Sequence, residues 1–395
     1  MDEVFIIGVG MTPFGRYAER TLKDLSREAV EAALRDADLP KEALQAAFAS
    51  NSMAGIVTGQ EAIRGQVVLN DMGITSLPVV NVENACASGA TALHQAWASL
   101  RAGLYDVVLV LGSEKLYHAD RSVTYRALAS ATDVERAGSD STKSSFLEES
   151  GRRLAAYMQR SGASIRHVAK VAEKSRRNGA LNPYAQYREA FTADAILASP
   201  VVADPLTRLM CSPISDGAAA LVLCSAGFMR RRHRPNRIRV AGSVLRSAGS
   251  GDPAEEGIVE RASRAVYEMA SAGPEDVSVA EVHDTTAASE LLLYERLGLC
   301  AKDEAARFVD EGHPALGGRL PVNPSGGLIS RGHPVGATGI AQVCELTWQL
   351  RGEAGPRQVP GARVALAHNA GGTIKGETAA LAMHLLVADH RPDSA

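Results

Sequence analysis

The sequence predicts an α/β protein built from two similar halves, with a mostly helical segment inserted in the first half. Short apolar runs typical of buried strands alternate with amphipathic helical runs along the 395 residues. One stretch of the second half echoes the first, since AVEAALRDADLPKEALQA, from Ala29, is similar to AVYEMASAGPEDVSVA, from Ala265. Each reads as a helix, a turn and an apolar run, which indicates a duplicated unit.

The first half provides the opening elements and the insertion. Strands are predicted at residues 4–9, 79–82, 107–111 and 218–224, and helices at 22–34 and 86–102. Residues 119–207 show little strand pattern and carry 13 Lys and Arg against 10 Asp and Glu. This positive excess fits either a solvated helical cap or a platform for a phosphorylated cofactor.

The repeated series supplies the second half. Strands are predicted at residues 238–244, 279–283, 364–368 and 379–386, and helices at 258–270 and 335–350. A basic run at 230–239 is interpreted as a solvated linker. The predicted domain boundaries assign 1–118 with 208–256 to the first half, 119–207 to the insertion and 257–395 to the second half.

Composition excludes several classes of protein. The net charge of -3 argues against general binding to nucleic acid or to an acidic membrane surface. Five widely spaced cysteines without a CxxC pair predict neither a disulfide framework nor a zinc site, and they favour a cytoplasmic location. We expect no secretory leader, no membrane span and no bound metal, because no corresponding segment or ligand motif is present.

Cys86 is the first candidate for chemistry. It lies in VENACASGATA, where a predicted strand ends and a helix begins, among small residues that leave room for a ligand. A thiol at a helix N-terminus lies near free backbone N–H groups and the positive end of the helix dipole, so we expect its pKa to fall. A buried structural cysteine is the alternative interpretation.

Three histidines lie at the ends of predicted elements. His333 lies in the glycine-rich stretch NPSGGLISRGHPVGATG, His368 begins HNAGG, and His283 precedes Asp284 in EVHD. Taken singly, His283 and His368 could be core or turn residues. A thiol with neighbouring imidazoles instead indicates covalent catalysis, in which sulfur takes an acyl group while an imidazole handles protons or an oxyanion.

Four segments together resemble the motifs of thiolases. These are VENACASGATA, NPSGGLISRGHPVGATG, LAHNAGG and PISDGAAALVL, in the family's order and spacing over nearly the whole chain. EVHD and the His-Asn pair of HNAGG resemble the sterol-carrier-protein type of thiolase most closely. The resemblance implies a five-layered αβαβα fold whose inserted loop domain holds coenzyme A, in a homodimer or a tetramer.

The resemblance also implies roles for individual residues. Cys86 would carry the acyl group, and His333 would activate the thiol and help to form an oxyanion hole. His283 lies where many thiolases place an Asn that holds a water in that hole. The backbone N–H groups of Cys86 and Ala370 would form a second hole, with Gly371 beside them.

Coenzyme A binding is expected to involve the loop domain and one neighbouring serine. Ser212 matches a serine near the pantetheine of thiolases, and Arg152 and Arg153 are basic candidates on the insertion. A coenzyme A thioester is therefore expected as substrate, with no permanently bound cofactor.

Two departures from the thiolase pattern leave the reaction open. The usual acid/base cysteine is replaced by His368, and Thr285 stands where sterol-carrier-type relatives often have one. Cys86 with His283 and His333 also resembles the Cys-His-His set of decarboxylating ketoacyl synthases. We therefore predict an acyl-CoA C-acyltransferase. The alternatives are a retro-aldolase on CoA thioesters and a non-catalytic subunit that binds an acyl-CoA or a partner protein. A small OB-fold, zinc-ribbon partner protein fits all three.

Overall fold

The structure is a computed structural model that describes residues 3–137, 145–232, 237–249 and 256–389. Parts of the predicted insertion (138–144), of the linker (233–236) and of the stretch beside the domain boundary (250–255) lie outside the described residues. The strands are Val4–Met11 (β1), Ala46–Ser50 (β2), Val79–Val82 (β3), Val107–Glu114 (β4), Val201–Ala203 (β5), Leu206–Thr207 (β6), Gly217–Ser225 (β7), Arg237–Ser247 (β8), Val279–Glu281 (β9), Val364–Ile374 (β10) and Glu377–Asp389 (β11). The helices are Leu22–Ala37 (α1), Ala54–Thr58 (α2), Arg64–Asp71 (α3), Ser88–Arg101 (α4), Arg121–Ala129 (α5), Val134–Ala137 (α6), Ser145–Ser161 (α7), Ile165–Ala180 (α8), Ala193–Leu197 (α9), Ala226–Arg230 (α10), Ile258–Ala270 (α11), Ala287–Arg296 (α12), Ala305–Asp310 (α13), Gly327–Arg331 (α14) and Thr338–Arg351 (α15).

Local sequence explains the opening elements. Helix α1 begins at a capping box, in which the Thr21 hydroxyl accepts the Asp24 N–H and the Asp24 carboxylate accepts the Thr21 N–H. Strands β4 and β7 are buried along their whole length. Their sequences are therefore continuous apolar runs and lack the polar alternation of a half-exposed strand.

The main sheet shows the duplication. Among the described residues it has nine strands in the order β3-β2-β4-β7-β1-β8-β11-β10-β9. Strands β1 and β8 meet antiparallel at its centre. From the centre outward, each half has two antiparallel strand pairings followed by a parallel pairing. In the first half a further parallel pairing joins β2 to β3. Its counterpart in the second half is the parallel bridge between Ala280 and Val322. The predicted duplication is confirmed.

Strand β8 bears on the predicted domain boundary. It occupies in the second half the place that β1 occupies in the first, and helix α11 follows it as α1 follows β1. We therefore propose that the second half begins at Arg237 and not after residue 256. The partner of a strand in the sheet depends on long-range pairing, which the order of elements along the chain does not reveal.

The helices and the two halves of the sheet form five layers. Helices α1 and α3 cover the outer face of the first half, and α11 and α12 cover the outer face of the second. Helices α4 and α15 lie between the halves and contact strands of both. Helix α15 is buried on nearly every side, which explains why its sequence lacks a polar face.

The insertion between β4 and β7 is mostly helical, as predicted, with the short β5–β6 hairpin in addition. The insertion begins and ends in the first half, but its helix α8 packs on α12 and α14 of the second half. The side-chain amides of Asn178 and Asn182 donate to the backbone carbonyls of Asn323 and Ser325. The insertion thereby supports the glycine-rich stretch that carries His333. Among the described residues, every helix is too short or too polar to cross a lipid bilayer.

Candidate active site

Cys86 lies in a strained turn, residues 84–88, that joins β3 to α4 and is called the nucleophile turn below. Ala85 has a φ of +48°, a left-handed conformation that is costly for a residue with a Cβ. The Ser88 hydroxyl holds the turn by accepting the Asn84 N–H at 2.8 Å and donating to the Ala85 carbonyl at 2.6 Å. A Cβ on Gly371 of β10 would lie 2.3 Å from the Asn84 carbonyl oxygen. Only glycine lets the second half press on this turn.

The expected low pKa of Cys86 is wrong. The residue packs against an apolar cluster that includes Met53, Leu116 and Val335. Burial raises the pKa of the Cys86 thiol to about 12, and the nearby Glu114 carboxylate raises it further, while the N–H groups of Gly372 and of Cys86 itself oppose the rise by bonding the sulfur. The thiol is therefore protonated at neutral pH and needs a base before it can attack.

Two imidazoles meet the thiol. The sulfur of Cys86 and one ring nitrogen each of His283 and His333 all lie within 4.8 Å of one another. The two rings stand edge to face, with centroids 5.1 Å apart. Cys86 comes from the first half, whereas His283 follows β9 and His333 precedes α15 in the second. The active-site cluster, meaning these three residues, thus spans both halves.

Hydrogen bonds place the proton of neutral His333 on its Nδ1 atom. Its Nδ1 lies 2.7 Å from the Thr338 hydroxyl, which donates its own proton to the Pro334 carbonyl at 3.0 Å. The hydroxyl must therefore accept from Nδ1–H, and the lone pair of neutral His333 is on Nε2. This Nε2 is buried and has no hydrogen-bond partner among the described residues. His333 is arranged as a base.

His283 has the opposite arrangement. The Asn369 side-chain amide donates to its Nδ1 at 3.0 Å, so neutral His283 carries its proton on Nε2 and is arranged as a hydrogen-bond donor. Burial lowers the pKa of His283 to about 3. Burial, followed by the neighbouring His283 and Arg331, lowers the pKa of His333 well below its usual value. Both rings are neutral at pH 7, and they differ in which nitrogen holds the proton.

His368 is not a member of the active-site cluster. Strand residues alternate between faces, and Asn369, not His368, turns toward His283 and helix α15. His368 is buried, and its Nδ1 accepts the His283 backbone N–H at a long 3.4 Å. Burial lowers the pKa of His368 to about 3, so it also is neutral. The structure thus brings His283 and His333 to the thiol and leaves His368 behind the His283 backbone.

The remaining candidates lie around this cluster. Ala370 and Gly371 follow Asn369 in β10, against the nucleophile turn. The Ser212 N–H donates to the Thr285 carbonyl at 2.9 Å, two residues from His283. Arg152 and Arg153 lie on α7 and both pair with Glu149 of the same helix. Their charges are therefore partly compensated within the insertion.

Sequence reasoning missed Glu114, at the end of β4. Its buried carboxylate accepts N–H groups from Ser52 and Met53 and, across the halves, from Gly336 beside the His333 loop. Burial raises the pKa of Glu114 to about 7, although these hydrogen bonds oppose the rise. Its position in LGSE directly after an apolar strand is the only signal in the sequence that could have suggested it.

Sequence reasoning also missed the residues that orient the two imidazoles. Thr338 and Asn369 fix the ring protons, and the Ser215 hydroxyl accepts the backbone N–H of His333 at 3.0 Å. All three lie inside motifs that the sequence had already singled out, but a motif does not reveal which side chain bonds which. Their contribution is to hold the reacting groups in one geometry.

Comparisons with known proteins point to one family. The family model described as "Thiolase, N-terminal domain" matches residues 4–227, and "Thiolase C-terminal domain-like" matches residues 248–383. Human sterol carrier protein 2 is 38% identical over 391 residues, which cover 94% of this chain and 70% of that protein. An acetyl-CoA acetyltransferase of Methanothermobacter thermautotrophicus is 38% identical over 387 residues, covering 96% of this chain and 99% of that protein. The benzoylsuccinyl-CoA thiolase subunit BbsB of Thauera aromatica is 37% identical over 378 residues, covering 94% and 95%.

Solved structures share the fold across the whole chain. The Ltp2-ChsH2(DUF35) aldolase matches with a TM-score of 0.79 at 24% identity, covering 98% of both chains. Human mitochondrial 3-ketoacyl-CoA thiolase in complex with CoA matches with a TM-score of 0.71 at 17% identity, again covering 98% of both. With the αβαβα layers, the duplicated sheet and both family models in agreement, the chain belongs to the thiolase family.

Proposed function

We propose that this protein is an acyl-CoA C-acyltransferase of the thiolase type, which makes or cleaves a carbon–carbon bond through an acyl group carried on Cys86. The observation that carries the proposal is the active-site cluster: one thiol within 4.8 Å of two neutral imidazoles. One imidazole offers a lone pair and the other an N–H. The acetyl-CoA acetyltransferase and thiolase among its relatives support the same chemistry.

In the first step, His333 Nε2 takes the proton of the Cys86 thiol, and the sulfur attacks the thioester carbonyl. The protonated His333 then returns the proton to the departing coenzyme A sulfur. We assign the backbone N–H groups of Cys86 and Ala370, with Gly371 allowing the close approach of β10, to the oxygen that becomes negative. The acyl group is left on Cys86.

In the second step, a carbanion at the α-carbon of another acyl-CoA attacks the carbonyl of the acyl-cysteine. The carbon–carbon bond forms as the bond to the Cys86 sulfur breaks, and the base that took the α-proton returns it to the released thiolate. The enolate oxygen of this nucleophile is stabilised by the Nε2–H of His283. The base that removes the α-proton was predicted to be His368, and this role stays a prediction. His283 is the competing candidate, because its ring is in the active-site cluster.

A pair of variants separates these two candidates. His368→Ala should spare acylation of Cys86 and block condensation if His368 is the acid/base. If both steps survive in His368→Ala while His283→Ala loses condensation, the role passes to His283. Acylation is read by intact-protein mass, and condensation by formation of the 3-ketoacyl-CoA product.

Coenzyme A thioesters are proposed as substrates, with no permanently bound cofactor. We assign Ser212 to the pantetheine and Arg152 and Arg153 to the phosphates of the nucleotide, on a helix whose Ser150 hydroxyl lies 2.8 Å from that of Thr286 beside the site. Replacing both arginines by Ala should raise the KM for acyl-CoA about two- to fivefold, because exposed charge contacts are weak. Unchanged KM would redirect the phosphate site to other basic residues.

A homodimer is proposed through the outer edge of β3, with a dimer of dimers as the larger form. This edge has no strand neighbour within the described part of the chain, and Val80 on it is 43% exposed. Beside it, a cavity of about 310 Å³ is lined in part by Asn51, Glu61 and Ile63. An open strand edge is a template for pairing with a second chain. Sedimentation of wild type and Val80→Lys would test this.

A small OB-fold, zinc-ribbon partner is proposed as an additional subunit, and the aldolase complex that includes a DUF35 component supports it. Activity that appears only after adding a co-encoded small protein would establish the requirement. None of the five cysteines forms a disulfide in the described part of the chain, which favours a reducing compartment, and we propose a cytoplasmic location.

The retro-aldolase and the non-catalytic subunit remain the alternative functions. The retro-aldolase has one specific observation in its favour, the structural similarity to an aldolase. It does not require an acylated cysteine, whereas Cys86 here is placed beside a base and a donor. The formation of acyl-cysteine therefore discriminates among the three functions.

The deciding experiment is intact-protein mass after incubation with a panel of acyl-CoAs. Wild type should gain the mass of one acyl group, Cys86→Ala should gain none, and Cys300→Ala, a partly exposed cysteine elsewhere, should behave as wild type. No adduct with any acyl-CoA, with or without a partner protein, would reject the acyltransferase.

A further inference from the structure

The three donor atoms of the active-site cluster resemble a metal-binding set. Cys86 Sγ and one nitrogen each of His283 and His333 lie within 4.8 Å of one another. Around a tetrahedral Zn²⁺, with Zn–S and Zn–N bonds of about 2.3 and 2.0–2.1 Å, such donors are about 3.3 to 3.6 Å apart. Small side-chain movements would close the set on an ion.

We propose that Cys86, His283 and His333 form a binding site for Zn²⁺ and related thiophilic cations, and that occupation of this site reversibly blocks the enzyme. The metal binding stands on the three side chains alone. The inhibition rests on the proposed function, because it assumes that Cys86 is the nucleophile.

The ring of His333 is ready for a metal. Its Nδ1–H is held by Thr338, so the lone pair on Nε2 points into the cluster, and this atom has no protein partner in the described ranges. A hydrogen bond from the other ring nitrogen is the usual way in which a metal-binding histidine is oriented. Thr338 supplies that bond before any metal arrives.

The ring of His283 needs one change, and Asn369 permits it. As described, the Asn369 amide donates to Nδ1, which places the proton on Nε2. The Asn369 Oδ1 is buried and without a partner in the described residues. A half-turn of the amide would present Oδ1 to the Nδ1 side of the ring. This favours the tautomer of His283 with its proton on Nδ1, in which the lone pair of Nε2 is free. The same residue thus supports the catalytic tautomer and the metal-binding tautomer.

The donor types select the cation. One thiolate and two imidazoles suit Zn²⁺, Co²⁺ or copper, whereas Mg²⁺ and Ca²⁺ require oxygen donors. The Glu114 carboxylate, which acts on Cys86, accepts backbone N–H groups of Ser52, Met53 and Gly336. Cys86 is partly exposed as a residue. Binding releases the thiol proton to solvent and forms a metal–thiolate bond without any change of oxidation state.

Co²⁺ is the first probe because it reports its own ligands. Chelator-treated wild-type protein without acyl-CoA is titrated with Co²⁺. We expect one ion per chain, with a thiolate-to-metal charge-transfer band and the intense visible bands of a four-coordinate ion, which Zn²⁺ displaces. Cys86→Ala should lose the charge-transfer band, and His333→Ala should lose stoichiometric binding.

His368→Ala is the matched control, since it removes a buried histidine outside the cluster and should keep the full spectrum. If His333→Ala does not fold, as judged by circular dichroism, wild type alkylated at Cys86 provides the same loss of the band. Absence of the band in wild type, or its persistence in Cys86→Ala, would overturn the site.

Activity is measured separately. Zn²⁺ should prevent formation of acyl-cysteine, and EDTA should restore it. A cobalt spectrum without any acyl-CoA reactivity would support the metal site and reject the proposed function. Acyl transfer that is unaffected by saturating Zn²⁺ would reject the proposed inhibition.

Discussion

Two sets of histidines in this protein differ in how their ring nitrogens are hydrogen-bonded. In the active-site cluster, one nitrogen of His333 is left without a partner among the described residues. In the second set, called the histidine relay, the His94 ring bonds the Ser243 hydroxyl at 2.9 Å, and Ser243 bonds His384 Nδ1 at 3.0 Å. At the inner end of the histidine relay, His384 Nε2 donates to the Ala90 carbonyl at 3.1 Å.

Burial lowers the pKa of His384 to about 3, the same value as for His283. A depressed pKa therefore does not distinguish a reacting imidazole from a structural one in this protein. The distinction lies in the bonds: both nitrogens of His384 are satisfied, whereas His333 keeps a free lone pair facing a thiol. Placement beside a thiol, together with the unpartnered Nε2, supports the proposed role of His333 as the base.

The largest effect should come from His333. His333→Asn removes the base, and we expect kcat/KM for acyl transfer to fall by about 10² to 10⁴. His384→Asn, an equally buried histidine in the relay, should leave kcat/KM within about twofold of wild type. Steady-state rates with the acyl-CoA that gives the best mass adduct would measure both. Comparable losses in the two variants would refute the distinction between the sets.

Thr338→Val should have the next largest effect. It removes the acceptor that keeps the His333 proton on Nδ1, and losses of about 10- to 100-fold are typical when an orienting partner of a functional histidine is removed. Thr338→Ser, which keeps the hydroxyl, should restore most of the activity. If valine and serine variants behave alike, the tautomer of His333 is set by something other than this hydroxyl.

The relay should matter for stability in acid. His384 is neutral when folded, with a pKa of about 3, whereas an unfolded histidine titrates near 6.5, so the unfolded state binds more protons between these values. The contribution of neutral His384 to the free energy of unfolding is thus fully present above pH 6.5 and is lost as the pH falls toward 3.

His384→Gln removes this proton uptake. Between pH 7 and pH 5 the free energy of unfolding should therefore decrease by about 2 kcal/mol less in the variant than in wild type. Urea titrations at the two pH values measure the difference. An identical decrease would mean that His384 does not control acid stability.

The smallest effect is expected at the outer end of the relay. His94 is half-buried and makes one bond of the relay, so His94→Asn should cost about 0.5 to 1.5 kcal/mol of stability and leave kcat/KM unchanged. A thermal scan together with steady-state rates would check this. A clear loss of activity would connect the relay to the nucleophile turn, since Ala90 lies one helical turn beyond Cys86.

The fold was largely predictable because its evidence is local. Apolar runs, helical periodicity and the echo between the α1 and α11 regions are contiguous in sequence, and each became the expected element. Strand β8 shows the limit. Its membership in a half depends on pairing with β1 and β11, and no local pattern encodes those partners.

The site shows the same division. Cys86, His283 and His333 were predicted from motifs, and the structure brings them together. The pKa of Cys86 was predicted wrongly because sequence reveals the start of α4 but not the apolar residues and Glu114 that surround the sulfur from distant segments. No metal site was predicted for a similar reason, since the three donors belong to three separate stretches and form no spaced motif.

Gly371 of the second half contacts the nucleophile turn of the first, and the active-site cluster likewise needs both halves. The sulfur belongs to the first half, and both imidazoles belong to the second. Fragments separated near residue 236 would therefore each hold an incomplete set of reacting groups, and we expect neither to carry an acyl group alone. If the two fragments were mixed, acyl-cysteine would form only in pairs that had reassembled. The amount of acyl-cysteine would therefore measure how much of the protein had reassociated.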